Sequence, residues 1–91
     1  MRVTRHLFIS GRVQGVGFRL YMQKQARDAG ITGWVRNRQD GTVEAVVQGN
    51  PGAVGAITHW ARHGPPGATV TDMQIADGTG EYATFETRPT A

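Results

Sequence analysis

The chain contains no cysteine, which excludes disulfide bonds, thiolate catalysis and cysteine-ligated metal sites. It has no apolar run near the roughly 18 residues that a membrane-spanning helix needs, and no signal-peptide core at its start. Acidic residues are scarce early on: residues 1–38 hold eight of the ten Lys and Arg residues but one acid. We therefore expect one cytoplasmic domain over residues 1–91, with no membrane partner and a basic first half that could attract an anion or nucleic acid.

The spacing of apolar residues predicts the order β-α-β-β-α-β followed by a short extra C-terminal strand. Strands are predicted over about 3–10, 31–38, 42–48, 69–76 and 82–88. Helices are predicted from Phe18 to Gly30 and from Asn50-Pro51 to the turn that begins at Gly64. The alternation slips between Val70 and Met73, which leaves room for a bulge.

This order is typical of a ferredoxin-like α+β sandwich, in which an antiparallel sheet carries two helices on one face. Its third strand lies between the first and second strands. The loops that follow strands one and two should therefore emerge at the same edge of the sheet. The topology predicts that two motifs distant in sequence lie close together.

The first motif is Gly11-Arg12-Val13-Gln14-Gly15-Val16-Gly17-Phe18-Arg19, between the first strand and the first helix. Its three glycines allow a tight backbone turn that gathers N–H groups toward one point. The helix that follows adds free N–H donors and a partial positive charge. Arg19, in its first turn, offers a fork of donors matched to phosphate oxygens. The motif predicts a cradle for a phosphate or carboxylate.

The second motif, Gly33-Trp34-Val35-Arg36-Asn37-Arg38-Gln39-Asp40-Gly41, leads from the second strand into a turn. The amide of Asn37 can both donate and accept hydrogen bonds, so it could hold a water molecule for attack on a bound phosphorus. Alternatively, Asn37 makes an Asx-type turn ahead of Asp40-Gly41, which is a common role. Residue type alone favours the turn.

Together the two motifs resemble the acylphosphatase family. The resemblance also rests on Asp40-Gly41-Thr42-Val43-Glu44 and on Gly64-Pro65-Pro66 followed by Ala68 and Val70, and it extends through most of residues 5–75. It implies a ferredoxin-like fold and a hydrolase that cleaves the carboxyl-phosphate bond of acyl phosphates without a metal or other cofactor. It further implies that Arg19 and Asn37 are catalytic: Arg19 binds the phosphate and Asn37 orients the attacking water. The loop residues implied to bind the phosphate are Gln14, Gly15, Val16, Gly17 and Phe18.

One feature departs from the family pattern. Members often end in a strand that closes on an aromatic residue, whereas here Arg88-Pro89-Thr90-Ala91 follows Phe85, so the docking of the last strand is left open. We expect a monomer whose partner is a small acyl phosphate.

The first motif does not match two other kinds of phosphate-binding site, but two functions other than hydrolysis stay open. The loop lacks the Gly-Lys-Ser/Thr ending of a P-loop, and a dinucleotide fingerprint requires a parallel sheet. His59 and His63 stand four residues apart on the second helix, a spacing that can share a metal, but we interpret them as solvated helix residues. The alternatives kept are a ferredoxin-like RNA-binding module, supported thinly by Phe8 and Trp34, and a non-catalytic anion-binding domain. No nucleic-acid partner is expected.

Overall fold

The predicted order of elements is confirmed in a computed structural model, which describes residues 1–91. The chain forms β1 (Val3–Arg12), α1 (Phe18–Asp28), β2 (Thr32–Asn37), β3 (Val43–Gly49), α2 (Pro51–Ala61), β4 (Thr69–Asp77) and β5 (Phe85–Thr87). Asn50 caps α2 as predicted, because its side-chain oxygen accepts a hydrogen bond of 2.8 Å from Ala53 N–H. Neither α1 nor α2 has the length and apolar character of a membrane-spanning helix.

The sheet has the strand order β4-β1-β3-β2-β5, so β3 lies between β1 and β2 as the topology predicts. Strands β4, β1, β3 and β2 pair antiparallel, but β5 pairs parallel with β2. The sheet is therefore mixed rather than wholly antiparallel. β4 runs opposite to β2, so the chain leaves β4 at the edge of the sheet where β2 begins. A strand that next pairs with β2 starts from that edge and therefore runs parallel to β2.

A bulge lies where the alternation of β4 slips. Ser10 pairs with Asp72 and Gly11 pairs with Val70, so Thr71 is the extra residue between them. The prediction of a bulge between Val70 and Met73 is confirmed. β1 runs two residues beyond its predicted end because Gly11 and Arg12 continue the pairing with β4.

The core lies between the sheet and the two helices. Apolar residues of α1 face it as predicted, with Phe18, Met22 and Ala26 all buried. Residues in one row across the sheet share a face. Asn37 is in register with Val43, and Val43 with Ile9, both of which are buried in this core. The side chain of Asn37 therefore leaves the sheet on the helix side, where the glycine loop also lies.

The last strand docks on the sheet despite its unusual ending. Phe85 is buried and pairs with Gly33, and the backbone contacts with β2 continue past β5. Arg88 N–H donates to the carbonyl oxygen of Val35 at 2.9 Å, and Ala91 N–H donates to that of Asn37 at 3.0 Å. The C-terminal segment thus braces β2 up to the end that carries Asn37.

Candidate active site

The glycine loop leaves a run of backbone N–H groups without partners. Gly15 and Gly17 have φ values of 73° and 79°, in the left-handed region that glycine adopts readily. No N–H group from Gln14 to Leu20 makes a hydrogen bond within the protein, and the first intrahelical bond of α1 is from Tyr21 N–H to Gly17. Seven consecutive amide donors are therefore available to an anion.

Arg19 lies in the first turn of α1, within this run. Its side chain is partly buried and takes part in none of the salt bridges of the protein. Most other arginines of the first half are engaged: Arg2 and Arg5 with acids near the C-terminus, Arg36 and Arg38 with Glu44. Arg19 thus forms no ion pair and belongs to the same stretch of chain as the unpaired N–H donors; a guanidinium and N–H groups are the kinds of donor that bind oxyanions.

The side chain of Gln14 ties the loop to the turn between β2 and β3. Its Nε2 donates to the carbonyl oxygens of Arg38 and Thr42, at 2.8 and 3.0 Å. The predicted closeness of the two motifs is confirmed by these bonds. Sequence reasoning considered only the backbone of Gln14, since nothing in the sequence reveals which carbonyl groups a loop amide reaches.

Asn37 ends β2 with an unpaired polar atom. Its Oδ1 is buried and has no hydrogen-bond partner within the protein. The turn is instead made by Asp40, whose Oδ1 accepts from both the N–H and the hydroxyl of Thr42. The hydroxyl hydrogen bond and the N–H bond from Thr42 lower the pKa of Asp40. The interpretation of Asn37 as the turn-making residue is therefore wrong, and its amide oxygen is left to accept a hydrogen bond from elsewhere.

A buried carboxylate lies behind this strand end, on the sheet face opposite the helices. Glu44 accepts from Arg36 at 2.8 Å and contacts His6 at 2.6 Å and Arg38 at 3.3 Å. Burial alone would raise the pKa of Glu44, but hydrogen bonds from Arg36 and His6 and their charges outweigh it, so its pKa is lowered. Arg36 and Arg38 flank Asn37 in the chain, so Glu44 holds both neighbours of Asn37.

The helix-free face of the sheet offers little free aromatic surface. Trp34 is 6% exposed, and the guanidinium groups of Arg36 and Arg88 lie 4.8 and 4.7 Å from its ring centroid. Phe8 stacks on His6 at 4.5 Å. Base stacking by RNA-binding modules needs exposed rings, whereas Trp34 is buried and Phe8 is only partly exposed.

Two further features lie on or next to the helices. His59 lies on α2, but His63 lies two residues beyond the end of that helix, so its predicted place on the helix is wrong. Both histidines are exposed, and their ring centroids are 5.4 Å apart. No group of three or more His, Asp and Glu residues could hold a metal ion. On α1, the apolar residues Leu20 and Tyr21 are exposed beside the loop, and neither was predicted as a functional residue. Their exposure could have been inferred from the sequence, because they lie off the helical stripe formed by the buried residues Phe18, Met22 and Ala26.

Comparison with known proteins agrees with this geometry. The family model Acylphosphatase matches residues 5–87. The acylphosphatase of Thiobacillus denitrificans is 54% identical over 85 residues, covering 93% of this chain and 96% of that protein. The structure of an acylphosphatase from Coxiella burnetii superposes with a TM-score of 0.91 at 35% identity, covering 96% of this chain and 93% of that one. The acylphosphatase of Bacillus subtilis gives a TM-score of 0.89 at 32% identity, with coverages of 97% and 99%. The chain belongs to the acylphosphatase family.

Proposed function

We propose that the chain hydrolyses acyl phosphates to a carboxylate and inorganic phosphate, with the phosphoryl group bound by the loop and Arg19 and with water oriented by Asn37. The observation that carries this proposal is the run of seven unpaired backbone N–H groups from Gln14 to Leu20, together with Arg19 within that run, whose guanidinium forms no salt bridge. An anion bound there gains charge-assisted hydrogen bonds without displacing any internal one. The donors are fixed by a helix end and by the Gln14 anchor, so little reorganisation opposes reaction.

Asn37 supplies the second part of the reaction. Its Oδ1 has no partner within the protein, and a rotation of the amide brings this oxygen to a water molecule at the loop, where it accepts one hydrogen and turns a lone pair of the water oxygen toward phosphorus. The new bond forms between the water oxygen and phosphorus, while the bond from phosphorus to the acyl oxygen breaks and its electron pair leaves with the carboxylate. The remaining water proton goes to a phosphate oxygen.

No general acid is needed for this step. The leaving group is a carboxylate, whose conjugate acid has a pKa of about 4, so it departs without a proton at neutral pH. We propose that a metal ion is likewise not required, because Arg19 and the amide donors neutralise the phosphoryl charge. All the groups involved come from one chain, so the monomer is expected to be active.

Hydrolysis of acetyl phosphate in the presence of a chelator tests the proposal. We expect turnover by the parent protein, and a loss of about 100- to 1,000-fold or more in kcat/KM for Arg19→Ala, because one preorganised charged donor is removed. Asn37→Ala should lose turnover but still bind inorganic phosphate by calorimetry, whereas Arg19→Ala should lose both.

Two control variants match these substitutions: one removes a different guanidinium, and the other removes a different side-chain amide. Arg62→Ala removes an exposed guanidinium from the end of α2, and Gln39→Ala removes an exposed amide two residues after Asn37. Both should hydrolyse acetyl phosphate as the parent does. A parent that shows no hydrolysis with or without added divalent metal would refute the function. Full turnover by Asn37→Ala would refute the role of that residue alone.

A further inference from the structure

The start of α1 exposes two adjacent apolar side chains that the core does not use. Leu20 is 70% exposed and Tyr21 is 45% exposed, although Phe18 and Met22 of the same turns are buried. With Lys24 they line a surface cavity of about 330 Å³. We refer to Leu20, Tyr21 and the aliphatic part of Lys24 as the α1 apolar patch. Apolar side chains exposed side by side offer a surface on which an apolar group of a ligand can pack.

The patch borders the phosphate-binding loop directly. The Tyr21 ring lies 3.4 Å from the point where a Cβ on Gly17 would stand, and Tyr21 N–H donates to the carbonyl oxygen of Gly17 at 3.0 Å. Leu20 follows Arg19 in the chain, and its own N–H group is the last of the unpaired run. A molecule whose phosphate occupies the loop therefore has the patch within reach of its remaining atoms.

The contacts at the two ends of the loop indicate which way the acyl group extends from the bound phosphate. At the start of the loop, Gln14 is bonded to the turn that follows Asn37; at its end, Gly17 lies against Tyr21. In an in-line displacement the attacking water and the leaving carboxylate lie on opposite sides of phosphorus. With the water at Asn37, the acyl group extends away from that turn, toward the end of the loop that carries the patch.

We propose that the α1 apolar patch binds the acyl group and makes the protein favour acyl phosphates with aromatic or bulky apolar acyl groups over acetyl phosphate. The inference rests on the proposed function and adds a substrate class to it. The half-exposed ring of Tyr21 offers a face for an aromatic acyl group, and Leu20 offers an aliphatic surface beside it. Neither side chain contributes to the reacting centre, so they act on selectivity.

The test is the ratio of kcat/KM for benzoyl phosphate to kcat/KM for acetyl phosphate. We expect the parent to favour benzoyl phosphate, and Leu20→Ser and Tyr21→Ala each to lower the ratio by about three- to tenfold, the range for loss of one partly exposed apolar or aromatic contact. Tyr21→Phe keeps the ring and should keep the ratio. Ile75→Ser is the control, because Ile75 is an exposed apolar residue on β4, 41% exposed against 45% for Tyr21 and 70% for Leu20, and it should also keep the ratio.

The outcomes separate this inference from the function on which it rests. A parent that hydrolyses neither substrate overturns both. A parent that hydrolyses both, with the same ratio in Leu20→Ser and Tyr21→Ala, overturns the acyl-binding patch alone. Parallel losses on the two substrates also leave the ratio unchanged, and they too count against selectivity by the patch. Since Leu20 does not contact the loop glycines, its variant decides the case if Tyr21→Ala distorts Gly17.

Discussion

Gly15 and Gly30 share one backbone conformation in very different surroundings. Their φ values are 73° and 71°, and a Cβ at either position would meet no atom within 4 Å. An alanine at either position therefore suffers only the strain of the left-handed region, about 1–2 kcal/mol. The two differ in place: Gly15 lies among the unpaired N–H groups of the loop, while Gly30 follows the end of α1.

We predict that Gly15→Ala and Gly30→Ala lose similar stability but differ in function. Each should lower the melting temperature by a few degrees, as about 1 kcal/mol does in a domain of this size. Only Gly15→Ala should weaken inorganic phosphate binding and lower kcat/KM for acetyl phosphate, because relief of its strain turns a loop N–H away from the anion. Calorimetry and steady-state kinetics measure both. Equal phosphate affinity in the two variants would contradict the role of the loop.

At this scale, residue roles that depend on residue type and local spacing could be predicted from the sequence, whereas contacts between distant residues could not. Arg19 and the loop amides could be predicted because glycine spacing and a helix start fix which backbone donors lack partners. The anchoring of the loop by the Gln14 side chain could not, because it depends on the carbonyl groups of Arg38 and Thr42, which lie more than 20 residues away.

Among the elements, the hairpin of β2 and β3 is held on its helix-free face by one carboxylate. Glu44 on β3 bonds to Arg36 on β2, to His6 on β1 and to Arg38 beyond β2, so it joins three strands near the end that carries Asn37. The pKa of Glu44 is lowered from its ordinary value of 4.5, so the folded state binds the proton more weakly than the unfolded chain. This stabilisation is complete above pH 4.5 and is lost as the pH falls through the lower folded pKa.

We predict that Glu44→Gln destabilises the protein at pH 7 by about 1–3 kcal/mol, because it removes a carboxylate that accepts charged hydrogen bonds. The difference from the parent should shrink as the pH falls below 4.5, where the parent also begins to lose the charge. Urea unfolding at pH 7 and at pH 3 measures it. Glu86→Gln, on an exposed carboxylate of β5 without a salt bridge, is the control and should change little at either pH. A Glu44→Gln deficit that persists undiminished at pH 3 would contradict the argument.

The bounds of the helices could be predicted from local sequence patterns, but the length of β1 and the pairing of β5 could not. Helix bounds followed from Asn50-Pro51 and Gly30, because caps are local. β1 exceeds its predicted length because Gly11 and Arg12 pair with β4, about 60 residues later. β5 was predicted as a strand, but its parallel pairing follows from the path of the chain across the sheet, which no short stretch of sequence contains.

Across the whole molecule, folding pairs basic residues of the first half of the chain with acidic residues of the second half. Acids of the second half pair with several cations of the first: Glu81 with Arg2, Asp77 with Arg5, and Glu44 with both Arg36 and Arg38. The first-half cations left without a salt bridge are Arg12 at the end of β1, and Arg19, Lys24 and Arg27 on α1. Two of these cations, Arg12 and Arg19, bracket the residues of the proposed phosphate site in the chain.

We predict that this distribution makes substrate capture sensitive to salt. Raising the ionic strength from about 0.02 M to about 0.2 M shortens the screening length about threefold, so the KM for acetyl phosphate should rise while kcat stays nearly constant. Arg12→Gln should weaken the salt dependence, since it removes the cation that ends β1, two residues before the first unpaired N–H group of the loop. Arg2→Gln removes the same charge just before β1, at the opposite end of that strand from the loop, and should leave the dependence intact. Sodium chloride and sodium glutamate should act alike if screening is the cause, whereas an effect of chloride alone would mean that the anion occupies the loop. A KM that does not change with ionic strength would show that the cations around the loop do not steer the substrate.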